Sequence, residues 1–113
     1  MLRTELKHLE TDEETQKALE NNGNVVVCCG RMGPMCMPVY AILHQLESVY
    51  PNVNFYDQDF DGPASAFIKY LPECAGFMGL PFTVYFKNGQ VVAATTSIQN
   101  REEITQILDR EFN

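Results

Sequence analysis

The chain has 113 residues, 45% of them hydrophobic, with 15 acidic against 8 basic side chains and a formal net charge of -7. That length and apolar content suffice for one domain, over residues 1–113, with a core that needs no metal or disulfide staples. The negative charge, without any Lys/Arg cluster, excludes nucleic acid and anionic lipid as partners, and no segment approaches the ~18 consecutive apolar residues of a membrane span. Met1 to Glu10 alternates polar and apolar residues and lacks the apolar run of a secretory signal. Four cysteines in a chain that needs no staples read as reduced thiols, buried or reactive, and predict a cytoplasmic protein.

Leu6 to Leu9 reads as a short first strand. Thr11-Asp12-Glu13-Glu14 is a capping-box signature and predicts a helix over Asp12 to Asn21, stopped by Asn22-Gly23-Asn24. Val25 to Cys29 is an unbroken apolar run of the kind found in a strand buried on both faces, at the centre of a sheet. It breaks into the loop Gly30-Arg31-Met32-Gly33-Pro34-Met35, and Val39, Ile42, Leu43, Leu46, Val49 and Tyr50 then fall at helical spacing, predicting a long amphipathic helix that ends at Pro51-Asn52. Val53 to Asp57 reads as a strand parallel to the previous one, because a helix separates them. Pro63 to Leu71 reads as a short helix. Phe82 to Phe86 and Val91 to Thr95 are joined by Asn88-Gly89, a strong hairpin signal, so that pair is antiparallel. Asn100 caps a last helix with Ile104, Ile107 and Leu108 on one face.

The resulting order, β-α-β-α-β-α-β-β-α, is that of an α/β thioredoxin fold, a central mixed β-sheet flanked by helices. Gly79-Leu80-Pro81-Phe82-Thr83-Val84-Tyr85-Phe86-Lys87-Asn88-Gly89 is similar to the thioredoxin segment in which a cis-proline opens the fourth strand and a hairpin follows. The chain resembles an atypical member of the thioredoxin-like family, because the family's Cys-x-x-Cys pair is missing. Two alignments of the loop compete. Matching Gly33-Pro34 to the family's Gly-Pro puts Met32 and Met35 in the cysteine positions. Keeping the following helix in register puts Cys36 in place of the second, resolving cysteine and Gly33 in place of the first. Core packing fixes helix register more firmly than loop sequence, which favours the second alignment. Either way the nucleophile is absent, and Val26 or Val27 fills the place of the family's buried acid.

A thiol at a strand-to-helix junction faces unpaired N–H groups and the positive end of the helix dipole, both of which favour thiolate. Cys36 is therefore the candidate for thiol–disulfide exchange; its alternative role is a small apolar residue packed under the loop. An internal Cys29–Cys36 disulfide requires the loop to bring the two Cα atoms within roughly 7 Å. At least one of Cys28 and Cys29, which point to opposite faces, is expected to be buried and inert, and Cys74 is read as a partly buried structural thiol. No metal site is expected, because the cysteines form no Cys-x-x-Cys knuckle, and no cofactor is expected.

Met32, Met35, Met37 and Met78 map, with Gly33, Pro34, Leu80 and Pro81, to the region that receives an extended peptide in thioredoxins. Methionine suits adaptable apolar contact, so Gly33, Pro34, Met35, Met78, Leu80 and Pro81 are the candidate substrate-binding residues. Ser97 stands in place of a groove-lining glycine, which predicts a narrower groove. Asp57 to Gly62 copies half of an EF-hand loop, but Ile68 stands where the bidentate glutamate belongs, so this run reads as a solvated turn. His8 and His44 read as isolated surface residues.

Two functional expectations follow. One is an atypical thioredoxin-like protein exchanging disulfides with a protein or thiol partner through Cys36, with Cys29 as the second candidate thiol. The other is a redox-inactive adaptor or chaperone-like module using the same Met-rich groove, similar in its missing dithiol to phosducin-like proteins. The sequence leaves the oligomeric state open.

Overall fold

A run with no polar side chain from Val25 to Cys29 has nothing to show water on either face, and it becomes the middle of the sheet. The computed structural model describes residues 2–112; Met1 and Asn113, the two ends of the predicted domain, lie outside the described residues. Five strands, β1 (Lys7–His8), β2 (Asn24–Gly30), β3 (Asn54–Asp59), β4 (Phe82–Lys87) and β5 (Gln90–Thr96), form one sheet in the order β1-β3-β2-β4-β5. β1 and β2 run parallel to β3, whereas β4 runs antiparallel to both β2 and β5. Among the described residues four α-helices flank it: α1 (Asp12–Asn21), α2 (Met37–Leu46), α3 (Ala66–Lys69) and α4 (Arg101–Glu111).

Local chemistry sets the element ends. The Thr11 hydroxyl caps α1 by accepting from the Glu14 amide, and Asn100 with Glu103 forms a reciprocal capping box at the start of α4. Asn88 and Gly89 have φ of 52° and 81°, the left-handed pair that a two-residue hairpin demands.

Strand alternation divides the core into two layers. Val26, Cys28, Phe55 and Tyr85 face α2 and α4, where they pack with Cys36, Tyr40, Leu43, Ile104 and Leu108. Val25, Val27, Cys29, Phe82, Val84 and Phe86 face the other way, against Ala18, Ile68 and Cys74.

Three predicted elements are corrected. The long helix stops at Leu46 instead of continuing to Tyr50, because the amides of Glu47 and Val49 donate to carbonyls three residues back (3.3 and 3.1 Å), a tightened end turn that leaves Val49 exposed. The helix expected over Pro63 to Leu71 is a 3-10 turn, Pro63–Ser65, followed by the single turn of α3. The first strand shortens to Lys7–His8 because only those residues pair with β3. Among the described residues, no helix is long and apolar enough to cross a membrane.

Candidate functional site

β2 ends at Gly30, and the next chain direction is set by a turn in which the amides of Cys36 and Met37 both donate to the Gly33 carbonyl (3.1 and 3.0 Å). Cys36 is thereby placed as the N-cap of α2, with Pro38 in the first turn, where its missing N–H costs little. β4 starts at the same end of the sheet, so the segment before it arrives beside this turn; the Leu80–Pro81 peptide there is cis.

The three parts meet over Gly30. A Cβ built on that residue would stand 2.7 Å from Cys36 Sγ, 2.7 Å from the Tyr40 hydroxyl and 3.1 Å from Pro81 Cβ. Only a residue without a side chain leaves room for this convergence. The sulfur accepts a weak hydrogen bond from the Arg31 amide (3.4 Å), and the Tyr40 hydroxyl donates to the Arg31 carbonyl (3.1 Å), so both sides of the Arg31 backbone are tied to the cluster.

This geometry differs from the expected helix-end thiol. Cys36 makes no side-chain hydrogen bond to the first turn of α2, and it is only 2% exposed. Its side chain turns inward because the notch over Gly30 and the apolar layer beneath offer a better fit than the rim.

The remaining cysteines are also buried, and all four are free thiols. Cys29 does not join Cys36: it lies in the opposite layer with Cys74, since successive strand residues point to opposite faces. Burial pushes the Cys29 thiol up to about 12, offset only in part by the nearby Lys69 charge. Burial likewise raises Cys28 well above the ordinary thiol value, against the lowering effect of the Thr83 hydroxyl that donates to it (3.7 Å). Cys74 is raised by burial and by Glu73. Among the described residues, no three His, Cys, Asp or Glu side chains converge as metal ligands.

The candidate binding residues separate by exposure. Met32, Met35 and Met37 are 40%, 44% and 40% exposed, and Met78 is 94% exposed. Gly33 and Leu80 are half-buried, Pro34 is exposed, and Pro81 is buried against Gly30. Ser97 sits on the same rim with φ 68°, a conformation that glycine adopts without penalty, and its amide donates to the carbonyls of Gly79 and Pro81. Its side chain presses on Gly79, whose added Cβ would meet Ser97 Cβ at 3.1 Å.

Two expectations about charged groups are corrected: the run from Asp57 is not a solvated turn from its start, because β3 continues to Asp59 and buries Asp57 and Gln58, and the two histidines are not isolated. The α2-facing layer does contain a buried acid, Asp57, which lies on β3 rather than on β2 and is directly paired in register with Cys28. Its carboxylate accepts from the Thr4 hydroxyl and contacts His8 Nδ1 at 2.7 Å, so His8 has a partner, and His44 has one in Glu47 (2.7 Å). Burial holds Asp57 above the ordinary carboxylate value, although both hydrogen bonds pull it down. The signal for it was present: Phe55 and Asp57 alternate onto one face of β3, and Thr4, Leu6 and His8 repeat the same period beside them. Asp61, in the acidic turn, forms a two-pronged pair with Arg31 (2.7 and 2.9 Å) that lowers its own pKa and raises that of Arg31.

Thioredoxins are among the solved structures with this arrangement of strands and helices. The chain superposes on a thioredoxin of Plasmodium falciparum with a TM-score of 0.77 at 18% identity, covering 94% of this chain and 99% of that one. Thioredoxin O2 of Arabidopsis thaliana gives 0.77 at 16% identity over 99% and 98% of the two chains. Mitochondrial thioredoxin 3 of Saccharomyces cerevisiae gives 0.74 at 23% identity over 93% and 94%. No protein-family model and no curated protein matches the chain in sequence. The chain is a thioredoxin-fold protein, and the likeness at these identities is one of fold.

Proposed function

We propose that this chain binds an extended segment of a partner protein across the Met-rich rim beside Pro81 and undergoes thiol–disulfide exchange with it through Cys36. One observation carries the reading: the Cys36 sulfur sits in the notch over Gly30 that Pro81 also fills, and Met35 and Met78, in the loops leading to Cys36 and Pro81, are exposed. A partner strand laid along Leu80-Pro81 brings its own sulfur to that notch, and flexible thioethers adapt to varied apolar neighbours. Opening the 31–36 turn exposes Cys36, so partner binding and thiol access are coupled. A reducing compartment such as the cytoplasm keeps all four thiols free between turnovers.

Incubation with a peptide disulfide followed by non-reducing electrophoresis tests this reading. A mixed disulfide carried by Cys36 and lost in Cys36→Ser is the expected result. Absence of any adduct across neutral and alkaline pH overturns exchange.

A second reading, a redox-inactive adaptor using the same rim, draws on the near-complete burial of Cys36. It predicts that Cys36→Ser retains full binding of a captured partner, while Met35→Asp with Met78→Asp abolishes it.

A further inference from the structure

We propose that Cys28 is the thiol that pairs with Cys36, forming an internal disulfide beneath the loop once Cys36 has been oxidised. The inference rests on the reading that Cys36 exchanges. Cys28 and Gly30 lie two residues apart on one face of β2, a step of about 7 Å along the strand, and the Cys36 sulfur already occupies the position of a Gly30 side chain. Cys28 and Cys36 share one packed layer with Tyr40, whereas Cys29 is separated from both by the thickness of the sheet.

Closure needs the Cys36 sulfur to slide along β2 toward Cys28. That motion gives up the long Arg31 amide contact and the packing over Gly30, while the helix beyond keeps its backbone bonds to the Cys36 carbonyl. Glutathione disulfide serves as the oxidant. Cys36 attacks one sulfur of the reagent, its S–S bond breaks, and the first glutathione leaves as a thiol carrying the Cys36 proton. Cys28 then attacks the Cys36 sulfur of the mixed disulfide, and the second glutathione leaves with the Cys28 proton. The two protein thiols are oxidised and one glutathione disulfide is reduced to two thiols.

The full chain is treated with glutathione disulfide, blocked with alkylating reagent during unfolding, digested with trypsin without reduction and mapped by mass spectrometry. Cleavage after Lys17, Arg31 and Lys69 separates the Ala18–Arg31 peptide from the Met32–Lys69 peptide, so a link between them reports closure. The expected result is that link, retained in Cys29→Ala, with glutathione instead accumulating on Cys36 in Cys28→Ala. Should Cys28→Ala fail to fold, the wild-type and Cys29→Ala maps decide alone. A stable glutathione adduct on Cys36 in the wild type, with Cys28 recovered alkylated, overturns the pairing while exchange stands; so does a link that vanishes in Cys29→Ala. Neither adduct nor link in any variant overturns exchange, and the pairing with it.

Discussion

The two layers of the sheet each hold two cysteines, but the thiols in them have different surroundings. Toward α1 and α3, Cys29 and Cys74 lie among Val27, Ile68 and Phe86, with the rings of Phe60 and Phe77 set edge-on to Phe82 at 5.5 and 5.4 Å. The buried polar pair of that layer, Gln58 and Thr15, bond to each other and to the Leu9 carbonyl instead of to either thiol, although Gln58 is paired in register with Cys29. Toward α2 and α4, Cys28 and Cys36 share their layer with Tyr40, Thr83, Asp57 and His8, and the layer opens at the Gly30 notch. Burial alone does not distinguish the four thiols; the hydrogen bonds that Thr83 and the Arg31 amide make to Cys28 and Cys36, and the missing side chain at Gly30, do.

The largest effect that sharpens this contrast is expected from Gly30→Ala. The added methyl meets three groups within 3.1 Å, so either Cys36 is expelled toward the rim or the layer is forced apart. Overpacking of this kind costs typically about 1–3 kcal/mol. Urea denaturation should show that loss, and native alkylation of Cys36 should accelerate. Unchanged stability and unchanged alkylation would break the assignment of the notch.

Serine substitution compares the layers directly. In Cys29→Ser a hydroxyl enters a fully buried site where the thiol has no hydrogen bond from the Arg31 amide to inherit, with an expected cost of about 1–3 kcal/mol. In Cys36→Ser the Arg31 amide can donate to the new oxygen, so the loss should stay below about 1 kcal/mol. Alkylation of the folded protein at pH 8 should leave Cys29 untouched, given a thiol pushed up to about 12. Equal costs at the two sites, measured by urea denaturation, would erase the distinction.

The smallest effect concerns Asp57. Its folded pKa lies above the unfolded one, so the protonated form is favoured by folding; the stability this contributes is present below the ordinary value of 3.8 and is lost as pH rises through the raised folded value. Relative to Asp57→Asn, wild-type stability should therefore fall as pH is raised across that window. Parallel stability–pH curves for the two proteins would show that burial of the carboxylate has no net electrostatic cost.

Much of this was legible from residue order. The α1 boundaries, the Asn88-Gly89 hairpin and the capping box at Asn100 follow from local hydrogen bonding and were readable residue by residue. The central place of Val25 to Cys29 followed from apolar periodicity. The helix end at Leu46 was not legible, because the helical apolar spacing runs on through Tyr50 while the backbone bonds already tighten to three residues back.

The sequence by itself determined the fold, the methionine-rich loop and the candidacy of Cys36, since each depends on local propensity or on patterning along one element. Only the tertiary structure decided which way that thiol points and which thiols share its layer. A side chain's direction at a helix start depends on the volume left by other segments, here the bare backbone of Gly30, the Tyr40 ring and Pro81. The partner of Cys36 is likewise a matter of sheet face, which sets Cys28 on its side and Cys29, one residue away, on the other.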